Sequence, residues 1–391
     1  MFNFRANLVS SMSLAAALLM LSFIYGCGGG GGSEPNDDDF TAGSNKVDEQ
    51  VALLRYLGND VFVPGYQSLA QASVELVNSA QVFCSSSSLS ATELSQLRHA
   101  WLTVMDKWQL LQIMRFGPIV KNNYQYRIQF WPDDNNAVTN NIENLLSGTQ
   151  VITESVVANT SVGAQGLPAI EYLIFKADEQ VLAEFSDSNT AARRCQLLNA
   201  ITLNLQTITA DLVDRWLASG EDFISDFTGK GIAGSGDTSK LDEMVSDVVN
   251  TLIEQAQFIL LNKLQAPLGD NIPGYTQAAE SWRSEYSKAN LVNNLKAFKV
   301  VYGENNFGFS RYLNEVVEAD VLDANMQERL QQLVDISEQI EGTYSQALAS
   351  QTEREKISQL VELMQSLIVK LEGDLAKAMN ATVGFNGNDG D

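Results

Sequence analysis

Glu171 is the residue whose setting calls most directly for chemistry. It ends the stretch Gly166-Leu167-Pro168-Ala169-Ile170-Glu171 and is followed by Tyr172, Leu173, Ile174 and Phe175. A carboxylate among bulky side chains stays ionised only with a cation or several hydrogen-bond donors beside it. Three arginines stand at comparable breaks in the apolar pattern. Arg115 precedes Phe116-Gly117-Pro118, Arg127 opens Arg127-Ile128-Gln129-Phe130-Trp131-Pro132-Asp133, and Arg283 lies in Glu280-Ser281-Trp282-Arg283-Ser284. Each could pair with Glu171, or the three could hold an anionic chelate. Trp131, Tyr172 and Trp282 are the candidate walls of such a binding cleft, with Ser284 beside them. A plainer account covers part of this, because a Pro168 in the first helical turn and an acid near the N-terminal dipole is how many helices begin. It leaves unexplained why the helix is apolar nearly all round.

The familiar catalytic templates do not occur. There is no G-x-S-x-G, no P-loop, no G-x-G-x-x-G after a strand and no EF-hand loop. His99 is the one histidine, which excludes zinc sites built on two or three imidazoles. Its neighbours Leu97, Ala100 and Trp101 predict a half-buried helix position rather than a catalytic one. The chain has 391 residues, with 25 Lys+Arg against 48 Asp+Glu and a net charge of −23. That balance repels nucleic acid and anionic lipid and favours cations or basic ligands.

The elements that must position these residues are helices. Seven prolines leave long stretches unbroken, and apolar residues recur in steps of three and four through 188–219, 238–266, 322–348 and 351–379. The tract 90–116 opens with the capping box Ser90-x-x-Glu93. Residues 124–131 read as a loop. The glycine-rich segment 220–238 reads as a linker. The expectation is an all-α fold of two antiparallel bundles of the four-helix type, residues 45–225 and 236–385, with a cleft between them.

The N-terminus reads as an address. Arg5 is followed by an apolar run from Met12 to Tyr25, too short to span a bilayer and suited to a signal peptide over 1–26. The run ends in Ile24-Tyr25-Gly26-Cys27, a lipobox-like sequence in which Cys27 would carry the lipid. Residues 27–44, rich in glycine and then in acids, read as a tether. Gly28 after the cysteine predicts a periplasmic protein anchored to the outer membrane. Cys84 and Cys195 remain, an even pair in an oxidising compartment that is expected to form a disulfide, two buried thiols being the alternative.

Taken together, Ala100 to Pro118 (A-W-x6-W-x6-R-F-G-P), Arg127 to Asp133, Gly166 to Phe175 and Trp282 to Ser284 resemble the imelysin family, in its branch of predicted periplasmic lipoproteins, over about residues 45–385. The resemblance implies two helical bundles with a cleft and an association with iron acquisition; founding members were described as metallopeptidases. It also implies a G-x-H-x-x-E motif holding metal. Gly166 and Glu171 match that motif, but Pro168 stands at the histidine and has no ligand atom. An oxygen-only site for iron or another cation, centred on Glu171, is compatible with this sequence; zinc is not expected. The leading expectation is a non-catalytic binding lipoprotein beside an iron-uptake or periplasmic redox system. A divergent metallopeptidase and a structural lipoprotein are the alternatives.

Overall fold

Periodic apolar stripes dictate the architecture, and the computed structural model describes it for residues 38–230, 238–303 and 307–384. The signal peptide and Cys27 lie outside the described residues. No strand occurs among those described, and none of their helices is long and apolar enough to cross a membrane. The first helix, α1 (Asp38–Arg55), begins inside the stretch read as tether.

A π-helical turn, Tyr56–Phe62, leads into α2 (Val63–Ser85). The next helix, α3 (Ala91–Leu111), starts at the expected capping box: Glu93 N–H donates to Ser90 Oγ at 3.3 Å, and Ser90 N–H donates to the Glu93 carboxylate at 3.0 Å. Its buried stripe includes Leu94, Leu97, Trp101, Met105 and Trp108. The short α4 (Gly166–Ile174) packs on α3 and on the long α5 (Ala191–Trp216), which also lies along α2. Cys84 of α2 and Cys195 of α5 form a disulfide with Cα atoms 5.5 Å apart. It closes a loop of 111 residues, which in the chain-entropy model stabilises the fold by about 4–5 kcal/mol.

The second half follows the same rule. Helix α6 (Ser239–Phe258) runs into a π-helical turn, Ile259–Gln265. After a turn-rich stretch come α7 (Ser287–Tyr302), α8 (Asp320–Gln339) and α9 (Gln351–Val369). The run 322–348 is two helices rather than one. Gly342 takes a left-handed φ of +69°, and Thr343 caps a fresh helix, Tyr344–Ala349, through a capping box with Gln346. The apolar spacing carried across this break because both pieces face the same core.

Helix α7 packs on α8 and equally on α3, and the buried apolar residues form one connected cluster reaching from Val51 to Met379. Residues from Ala42 onward accordingly make one compact unit. Part of the glycine-rich segment read as linker is core. Phe223–Phe227 is a short helix, and Phe227 is fully buried with its ring 5.5 Å from that of Trp216. Residues 231–237 lie outside the described residues.

Candidate functional site

The motif helix α4 is held by its neighbours' backbones. Gly166 has φ +65°, and a Cβ there would fall onto the carbonyl oxygens of Arg127 and Ile128, so the close approach requires glycine. Trp101 Nε1 donates to the Leu167 carbonyl at 3.0 Å, fixing α4 to α3. This seating delivers Glu171 to the interior, 3% exposed.

Its partner is a serine turn. Glu171 Oε1 accepts the Ser284 N–H at 2.9 Å and the Ser284 hydroxyl at 2.7 Å. Left-handed φ values at Ser281 and Glu285 shape the turn that aims both donors inward. Burial raises the Glu171 pKa above the ordinary carboxylate value; the Ser284 donors and the charge of Arg283 oppose this, and nearby Glu280 reinforces it. The expected arginine partner is thereby corrected, since no ion pair to Glu171 occurs among the described residues. Arg283 lies 4.5 Å over the Trp282 ring and 5.5 Å from that of Tyr172, and donates to Thr139 Oγ1 at 3.2 Å. A guanidinium is weakly hydrated and stacks well on aromatic faces, so it can remain at the half-buried rim while neutral donors enter.

A second carboxylate, Glu280, is 2% exposed and binds Lys263. The Lys263 ammonium donates to Glu280 Oε2 at 2.9 Å, Glu280 Oε1 at 3.0 Å, and the side-chain oxygens of Gln109 and Gln112 at 2.8 Å each. Gln129 completes the cage, donating to Glu280 Oε1 at 2.9 Å and accepting the Trp108 Nε1–H at 2.6 Å. Burial pulls the Lys263 pKa below the ordinary lysine range, with Glu280 opposing. Sequence reasoning missed this cage, although one signal was present: a lysine inside the apolar run Phe258-Ile259-Leu260-Leu261-Asn262-Lys263-Leu264. Lys263 sits on the π-helical turn, the kind of local insertion that often marks a functional position.

The remaining expected residues separate. Trp131, Pro168, Glu171, Trp282 and Arg283 line one cavity of about 70 Å³, room for a few waters or an ion but not a peptide. Its wall includes Trp131–Pro132, a cis peptide. Arg115 lies in a different cavity, donating to Gln255 Oε1 from Nε at 3.1 Å and from Nη2 at 2.7 Å. Arg127 faces neither cavity; it donates to Gln165 and Asn204 at 3.0 Å each, because its helix, Tyr124–Ile128, packs toward α5. That helix replaces the loop expected there; its buried residues, Tyr124 and Ile128, lie four apart, too few turns to show as periodicity. Tyr172 borders an outer groove with Arg283, its hydroxyl donating to Glu143 at 2.7 Å. His99 is exposed on α3, in a groove with Glu75 and Ser79, and not half-buried as expected.

The donor set does not fit the metal that a G-x-H-x-x-E motif implies. Pro168 offers no ligand atom, Ser284 takes Glu171 Oε1, and Lys263 takes both oxygens of Glu280. Asp133, at the same cavity, accepts the N–H groups of Ala137 at 2.6 Å and Val138 at 3.0 Å. No group of three His, Cys, Asp or Glu side chains is placed to share an ion among the described residues.

Known proteins share this arrangement of helices. An imelysin-like protein from Psychrobacter arcticum 273-4 superposes with a TM-score of 0.66 at 18% identity, covering 88% of this chain and 98% of its own. A putative iron-regulated protein A precursor from Parabacteroides distasonis gives 0.63 at 18% identity, over 89% and 97%. Both likenesses concern the fold alone. By sequence, iron-regulated protein A from Synechococcus elongatus is 24% identical over 279 residues, 70% of this chain and 67% of that protein. The family model described as Imelysin matches residues 62–371, a span that holds Glu171, Glu280 and the side chains bonded to them. The chain belongs to the imelysin family.

Proposed function

We propose that this protein is a non-catalytic binding lipoprotein associated with iron, anchored through Cys27 to the outer membrane and exposed to the periplasm beside an uptake or redox system. The iron association is supported by relatives described as iron-regulated protein A. The observation that carries the non-catalytic part is the motif cavity. Its carboxylate is tied to Ser284, the position of the metal-ligand histidine is Pro168, and the space is too small for a peptide. Hydrolysis of a peptide requires an activated nucleophile. Cys84 and Cys195 are joined to each other, and His99 is on the surface.

The test has two arms on tag-free mature protein: incubation with casein and a peptide mixture, with and without Zn²⁺ or Fe²⁺, and equilibrium dialysis against ferric citrate. The expected result is retention of ferric citrate without cleavage. Cleavage that disappears in a folded Glu171→Ala variant would overturn the binding reading in favour of a divergent metallopeptidase. Failure to retain iron in any preparation would leave the structural-lipoprotein reading in its place.

A further inference from the structure

Arg115 enters a cavity of about 290 Å³, divided from the Glu171 cavity by Trp131 and Pro132, which line both. Trp108, Tyr126, Trp131 and Phe258 present aromatic groups to it, and Gln125 and Asn262 present amides. Among the described residues no carboxylate lines this space, although acids outnumber bases 48 to 25 in the chain. Arg115 is its one charged lining residue. The guanidinium lies 4.5 Å over the Phe258 ring, and its side-chain hydrogen bonds go to the neutral Gln255 amide. Burial draws its pKa down to about 10, with the charge of Glu254 opposing, so it stays charged at neutral pH.

The other cation near that ring, Lys263, is 5.9 Å from its centroid and is bonded to Glu280. Arg115 is half-buried and has no carboxylate bonded to it among the described residues, only the charge of Glu254 acting without a hydrogen bond to it, whereas a guanidinium drawn into a protein is normally paired. An incoming cation would meet repulsion from both. Gln255 takes the Nε–Nη2 side of the guanidinium, which leaves the end formed by Nη1 and the second N–H of Nη2 for a carboxylate, and a ring attached to it would cover apolar area against the tryptophans. About 150 Å³ holds a benzene ring, so this cavity admits a ring with its acid group.

We propose that the Arg115 cavity binds a small aromatic carboxylate, its acid group on Arg115 and its ring against the aromatic wall. The proposal goes beyond the iron-associated reading and needs no metal, so metal-free probes test it separately. Benzoate, benzyl alcohol and benzylamine differ mainly in charge and are titrated into tag-free protein by calorimetry and by tryptophan fluorescence, to which Trp108 and Trp131 contribute. Benzoate is expected to bind saturably, benzyl alcohol more weakly and benzylamine not at all. Arg115→Gln should weaken benzoate roughly tenfold or more, the loss of charge-assisted hydrogen bonds. Arg55→Gln, at the exposed end of α1, should leave it unchanged. Arg115→Lys keeps the charge without the fork and should fall between, which guards against a Gln variant that fails to fold. The proposal is overturned if wild type shows no saturable benzoate binding, if acid and amine bind alike, or if a folded Arg115→Gln variant binds as wild type does.

Discussion

Glu171 and Glu280 are buried almost equally, at 3% and 2% exposure, and they feel each other's charge. Their neighbourhoods differ. Glu280 is met by a full ammonium inside an amide cage. Glu171 is met by an N–H and a hydroxyl from one serine, with Arg283 acting only from the rim. Burial therefore does not dictate how a carboxylate is accommodated. A carboxylate facing a cation is an ion pair whose halves depend on each other, whereas one facing neutral donors can take up a proton and keep a hydrogen-bonded place.

The largest test breaks the pair. Lys263→Met leaves Glu280 buried without its cation and should lower stability by about 3–5 kcal/mol in urea unfolding. Adding Glu280→Gln removes the stranded charge while keeping an acceptor for Gln109 and Gln129. The double variant should regain most of the loss. If the two losses simply add, Lys263 and Glu280 do not act as a unit.

Truncating the other carboxylate should do less. Glu171→Ala orphans the Ser284 N–H, while the Ser284 hydroxyl keeps the Ser281 carbonyl at 3.0 Å, and should lower stability by about 1–3 kcal/mol. Glu171→Gln keeps an acceptor oxygen and should lower it by less than about 1 kcal/mol. Equal, large losses in both variants would mean that the negative charge itself is what the site holds, contrary to the contrast drawn with Glu280.

The smallest effect is a pH dependence. The raised Glu171 pKa means that the native state holds this proton more tightly than the unfolded chain does. Its contribution is present below the ordinary carboxylate pKa and is lost as pH rises through the folded value. Wild type should therefore lose stability relative to Glu171→Gln as pH rises above the ordinary carboxylate range, measured as paired thermal melts. A difference that is flat, or that rises with pH, would refute the assignment.

Much of the fold was legible because helical periodicity is local. The stripe Leu94, Leu97, Trp101, Met105 and Trp108 with its Ser90–Glu93 cap needs nothing beyond its own residues to define α3. The burial of Glu171 was legible for the same reason, since bulky residues surround it along the chain. The pairing of Cys84 with Cys195 was expected from the cysteine count, and the seating of α2 against α5 brings the two together. What each carboxylate touches could not be read locally. Ser284 lies 113 positions from Glu171, and Gln109 lies 154 from Lys263. Arg127 and Arg283 were plausible by charge, yet packing turned one toward Gln165 and Asn204 and the other onto Trp282. By itself the sequence determined the helices, their apolar faces and the departure at Pro168, because those depend on neighbours three and four residues away. Only the tertiary structure decided which buried charge received a cation and which received a serine, because that depends on which turn reaches the carboxylate when distant helices close over it.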